Sequence, residues 1–121
     1  MSEPVRARLV ADAGVSAVVQ QRVYAHEVPQ GVSYPCITFE HISTGEQQTL
    51  GAYQSRRRER WQIDVWSKSA LERKSLADAV QAAMEAEGTD FRAVRLDRSG
   101  EFISEISLYR ATLEYSISLQ E

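Results

Sequence analysis

The sequence predicts a two-layer α+β domain, a mostly antiparallel sheet of four to five strands packed against one long helix with a short N-terminal helix beside it. Three observations carry that expectation. Only the 69–87 stretch has a long apolar stripe at helical spacing; the 60–67 and 109–119 stretches alternate apolar and polar residues; and the order helix, strand, strand, helix, strand, strand leaves one helix to cover most of the sheet. Ferredoxin-like folds lie close to this order, which does not compel them.

Pro4 suits the first turn of a helix, and Val5, Leu9 and Val10 recur at helical spacing until Gly14 is expected to end the segment. A further helical turn through Val15, Val18 and Val19, capped by Ser16, delivers the chain to Arg22, Val23 and Tyr24. Between residues 22 and 39 two prolines punctuate the chain. Pro29 fixes its own φ and biases Val28 toward extended backbone, Gly31 permits a positive φ, and Pro35 opens an apolar run by giving up one ladder donor at a strand's first position. A rigid elbow feeding a strand follows. In that strand Ile37 and Phe39 alternate with Thr38 and Glu40, while Ile42 falls out of phase, so a bulge or strand end is expected near His41.

The 44–57 stretch is polar, carries Gly45 and Gly51, and has Leu50 and Tyr53 as its large apolar groups, which predicts a long hairpin connection. Next, Trp61, Ile63 and Val65 share one face of a strand and Gln62, Asp64 and Trp66 the other. Ser69 with Glu72 forms a capping-box pattern, Leu76, Ala79, Val80 and Ala83 mark the helical stripe, and Gly88 supplies a stop. Beyond it 91–96 alternates weakly, 97–100 has the composition of a turn, and 102–106 is expected to return as the partner strand. The closing strand sets Tyr109, Ala111, Leu113, Tyr115, Ile117 and Leu119 against a polar face.

With 121 residues the chain fits one domain, 1–121, able to fold without staples. A net charge of −3 argues against a dedicated duplex-DNA binder. Cys36 is the single cysteine, so no internal disulfide and no cysteine-based zinc site is expected; it reads as a small buried hydrophobe in a reducing compartment. No window approaches the ~18 apolar residues of a membrane span and the N-terminus lacks a signal-peptide layout, so a cytosolic protein without a membrane partner is expected.

Chemistry needs groups that converge, and the sequence offers only His26 and His41, without an HExxH or His-x-His spacing; both read as surface or turn residues. Nucleophile elbow, Cys/His pair and phosphate loop are all missing from the motifs. An enzyme is therefore not expected, and neither catalytic, cofactor nor metal residues are assigned. The one charge run, Arg56, Arg57, Arg58 and Arg60, sits beside Tyr53 and within reach of Trp66, and is the candidate surface for a partner or a neighbouring subunit; its structural alternative is a solvated strand start guarding a sheet edge. Trp66 fits either core under the helix or an interface anchor. The closing strand, if it lies at an edge, is a second candidate for pairing with a subunit. A small module binding RNA or single-stranded DNA, with the arginines on phosphates and Tyr53 and Trp66 stacking on bases, is the alternative function.

The order Arg22-Val23-Tyr24, Pro29-Gln30-Gly31, Tyr34-Pro35, the strand Gln62-Ile63-Asp64-Val65-Trp66-Ser67, the following helix and the closing Tyr109-Arg110 strand resembles the tail-completion or tail-terminator proteins of long-tailed bacteriophages. Cys36 departs from the pattern, standing where an aromatic or aliphatic residue is expected. The resemblance implies a non-enzymatic phage or prophage virion protein, in the host cytoplasm before assembly and in the tail afterwards. It implies a homo-oligomeric ring, six-fold in similar proteins, that ends the tail tube at its head-proximal side and joins it to the head-completion or connector protein. Its partners would be further copies of itself, the tail tube protein, the connector and the DNA that passes through the lumen. A closing ring needs two complementary surfaces, for which the arginines opposite Glu85, Glu87 or Asp90 are one pairing.

Overall fold

The computed structural model describes residues 3–31, 33–47, 56–85 and 91–119. Its elements run α1 (Glu3–Ala11), α2 (Ala13–Val19), β1 (Val23–Ala25), β2 (Cys36–Gln47), β3 (Arg56–Ser67), α3 (Ala70–Glu85), β4 (Phe91–Ile103) and β5 (Leu108–Leu119). The strands form one sheet in the order β1-β2-β3-β5-β4, with β1 parallel to β2 and every other pair antiparallel. The α+β class follows, with the parallel β1 added to the expected strands.

All three helices lie on one face of the sheet. Val5 and Leu9 of α1, Val15 and Val19 of α2, and Leu76, Val80 and Met84 of α3 enter one core with Ile37, Phe39, Trp61, Ile63, Val65, Leu113, Tyr115 and Ile117. The period-two patterns of β3 and β5 are thus the core face of the two central strands, and burying each such side chain contributes about 1.5–3 kcal/mol. Arg8 donates from Nη1 to the Met84 carbonyl (3.0 Å), satisfying an orphan acceptor in the last turn of α3 and tying α1 to it.

Several boundaries differ from the expectation. Gly14 lies inside α2, and the cap is Asp12, whose Oδ1 accepts from the Val15 N–H at 3.1 Å, not Ser16. A break at Asp12 replaces the expected glycine stop, because a side-chain acceptor starts a new helix more strongly than one glycine ends the old. At α3 the Ser69 Oγ accepts from the Glu72 N–H (3.3 Å), but Glu72 does not return to the Ser69 N–H. It accepts from Ser67 Oγ (2.7 Å), which itself accepts from the Ser69 N–H (3.1 Å), so the box closes through a relay. The expected end of this helix near Gly88 lies outside the described residues.

The expected connection over 44–57 is shorter than its composition suggested. β2 continues to Gln47 and β3 begins at Arg56, with Gln47 opposite Arg56 and Glu46 opposite Arg57. Polar residues hold strand here because β3 is paired on both sides, Arg57 also matching Leu119 of β5. The expected bulge is found as a register shift between His41 and Ser43. The expected turn at 97–100 is not a turn: β4 runs through it, with a register shift between Arg95 and Asp97, and the reversal comes at 104–107. Pairing along the whole of β5 overrides the local turn composition, and the bulge absorbs the resulting change of phase.

The elbow is held by Arg22. Its Nε donates to the Pro35 carbonyl (3.0 Å), Nη2 to the Val18 carbonyl (3.2 Å) and Nη1 to Gln20 Oε1 (2.9 Å), so one guanidinium fastens the end of α2 to the start of β2. Gly31 takes the positive φ (80°) expected of it, and the Tyr34–Pro35 peptide is cis.

Candidate functional site

The face of the sheet away from the helices carries polar side chains in rows that cross the strands. One row runs Thr38, Asp64, Thr112 and Ser99; the next runs Glu40, Gln62, Glu114 and Asp97. Thr112 Oγ1 donates to Asp64 Oδ1 (2.7 Å), and Gln62 Nε2 to Asp64 Oδ2 (3.1 Å). Arg60 Nη2 reaches Glu114 Oε2 at 2.7 Å across the strands. Among the described residues no helix covers this face, and Glu40 stands exposed on it without an ion pair.

Trp66 lies on this face and not under the helix. It is half-buried, donates from Nε1 to Thr38 Oγ1 (3.0 Å), and carries the Arg110 guanidinium 5.5 Å from its ring centroid. Arg110 is paired in turn with Glu101. One face of the ring is therefore already occupied by a cation, which leaves less of it open to stack on a base.

The arginine run lies within β3 itself, Arg58 opposite Gly45 and Ser118, and Arg57 opposite Glu46 and Leu119. Arg60, half-exposed, shares the open face with Trp66, but the six residue steps from one to the other amount to about 20 Å of strand. The candidate residues thus do not form one compact patch: the arginines mark one end of the face and Trp66 the other. Tyr53 lies outside the described residues, as do Glu87 and Asp90, while Glu85 is exposed at the end of α3.

The edges of the sheet are β1 and β4, and β5 is central, so the expected pairing of a neighbour along β5 is ruled out by its two partners. At β1 the Arg6 side chain donates to the carbonyls of Val23 (3.2 Å) and Gln21 (3.4 Å), covering the outer side. Beside β4 lies a cleft of about 600 Å³ between that strand and α3, unforeseen from the residues alone and lined among others by Arg73, Lys74, Arg95, Arg98 and Gly100. Arg98 Nη2 pairs with Asp78 Oδ1 at 2.8 Å and Lys74 Nζ with Asp78 Oδ2 at 3.1 Å; these hydrogen bonds, Arg98's first, hold the Asp78 carboxyl below the usual carboxylate range. Arg73 donates to the Glu101 carbonyl (3.3 Å), and its guanidinium covers Gly100, where an added Cβ would stand 3.1 Å from Nη1. Arg95, exposed, makes no ion pair among the described residues. These cations come from two different elements, α3 and β4, and lie far apart in the sequence, so the i,i+4 pair Lys74–Asp78 is the part with a local sequence signal.

His26 is an exposed residue with positive φ (69°) beyond β1, and His41 stacks on Trp61 with ring centroids 4.9 Å apart, its Nε2 3.9 Å from the buried Glu59 carboxylate. The two histidines sit in different settings and do not converge.

A family model described as tail completion protein gp17 matches residues 3–120. The chain belongs to this tail-completion family. Among solved structures it is similar to a chain of the virion of a native gene transfer agent particle, at 19% identity and a TM-score of 0.68, covering 97% of this chain and 92% of that one. No curated protein matches its sequence. Membership of the tail-completion family makes the protein a structural component of a phage-type tail, and the described fold is that of the particle chain.

Proposed function

We propose that this tail-completion protein, acting as a single domain over 1–121, forms a ring of about six copies at the head-proximal end of the tail, stops growth of the tail tube and joins it to the head connector. The role is non-enzymatic and needs no cofactor. The observation that carries it is the family match from residue 3 to residue 120, which takes in both faces of the sheet and all three helices. The surfaces fit such a role: one sheet face is polar and left uncovered by the described helices, and the arginine positions gather at the end of the β2–β3 ladder. In this reading Arg56, Arg57, Arg58, Arg60 and Tyr53 serve the contact with the tail tube or the passing DNA, and Trp66 serves at the opposite end of the open face. Assembly proceeds from the host cytoplasm onto the finished tube.

Removing the gene from its phage or prophage tests this directly. Tails of excessive and uneven length, with heads left unjoined, are the expected particles under the electron microscope. Normal-length tails attached to heads would contradict the proposal.

A further inference from the structure

A ring is heterologous, so two different surfaces of one chain must meet. Two charged features are present, a carboxylate row on the open sheet face and a cationic cleft beside α3. The open sheet face carries Glu40, Asp64, Asp97, Glu101 and Glu114, with Arg60 and Arg110 already paired within it, while the alternate positions Arg56, Arg58 and Arg92 fall at one end, beyond the Glu40–Glu114 row. The cleft between α3 and β4 carries Arg73, Lys74, Arg95 and Arg98, with Asp78 paired to Lys74 and Arg98.

From this we propose that the occupant of the α3–β4 cleft is the sheet face of a second copy of this chain, an inference that rests on the ring proposed above. Arg95 of one copy then meets the carboxylate row around Glu40 and Glu114 of the next. Size agrees: four strands about 4.8 Å apart and roughly 40 Å long offer a face comparable with the ~800 Å² that each partner buries in a standard interface. Composition agrees as well, since Trp66 under Arg110 adds an aromatic and an arginine of the kind enriched in such contacts, and Val94, 60% exposed, stands in the row of Arg60 and Ser116 on the same face. Continuous strand pairing from subunit to subunit is disfavoured, because Arg6 occupies the β1 edge that would have to receive β4.

The test is a charge swap on rings of the full-length protein, followed by the concentration at which they assemble. Arg95 and Glu40 are both exposed, so circular dichroism should show an unchanged fold in Arg95→Glu, Glu40→Arg and the double variant. Each single variant is expected to raise the assembly midpoint by about tenfold or more, and the double variant to return it to within about threefold of the parent. Rings that ignore both single changes, or singles that fail without rescue in the double, would overturn the sheet-to-cleft contact while leaving the ring itself standing. If the parent protein forms no ring, alone or on tail tubes, both the ring and this contact fall.

Discussion

At Cys36, burial at the first position of β2 pushes the thiol up to about 11 despite the nearby Arg22 guanidinium. The sign follows from linkage: a thiol whose value is raised on folding leaves stability intact below its unfolded value near 8.5 and loses it as pH rises toward 11. Tyr115 works in the same direction, its phenol raised first by burial and then by Glu85. The urea midpoint should therefore fall between about pH 8.5 and 11, and fall less steeply in Cys36→Ala; a decline of equal slope in both would discount the thiol. Iodoacetamide at pH 8 should label the unfolded chain and spare the folded one. At the other end of the range Asp78 has a depressed value, so its contribution is present above about pH 4 and lost as pH falls further; Asp78→Asn should flatten the acid side of the stability profile. Capping is a residue-scale effect too. Asp12→Ala should cost about 1 kcal/mol by urea denaturation, whereas Ser16→Ala should cost little, since the cap lies at Asp12.

Among the elements, β5 joins β3 to β4 and gives its inner side chains to the core. Leu113→Ala, at a fully buried position between Ile63 and Arg98, should cost about 2–5 kcal/mol, while Val94→Ala on the exposed edge strand should stay within about 0.5 kcal/mol. Equal losses at the two sites would contradict the strand order. Such elements were legible in the sequence where period and burial coincide: Trp61, Ile63 and Val65, the Leu76 to Ala83 stripe, and Ala111 through Ile117 all face the core as their spacing requires. The sequence misled where pairing overrode local composition. The 97–100 segment looks like a turn but is held in β4 by β5, and 44–47 looks like a loop but is held in β2 by β3. β1 left little trace because three residues are too few to show a period. Of the candidate surface, the arginine run was visible as a run, but its distance from Trp66 and the cations of the α3–β4 cleft depend on which strands become neighbours.

At the scale of the whole molecule, the layered build separates two tasks. One sheet face and three helices supply the core, and the other face, free of that duty, can be polar and charged without costing stability. The Arg22 clamp and the Asp12 cap belong to the first task; the carboxylate rows, the arginine end of β3 and the cleft belong to the second. A body so divided suits a subunit that keeps its shape while meeting several neighbours. The measurement that bears most directly on this is the solution mass of the purified chain by light scattering over a wide concentration range, with and without tail tubes, and negative-stain microscopy of any large species. A discrete closed ring of about six times the 13.6 kDa chain mass is the expected result. A strict monomer at every concentration, and no ring on tube ends, would contradict it.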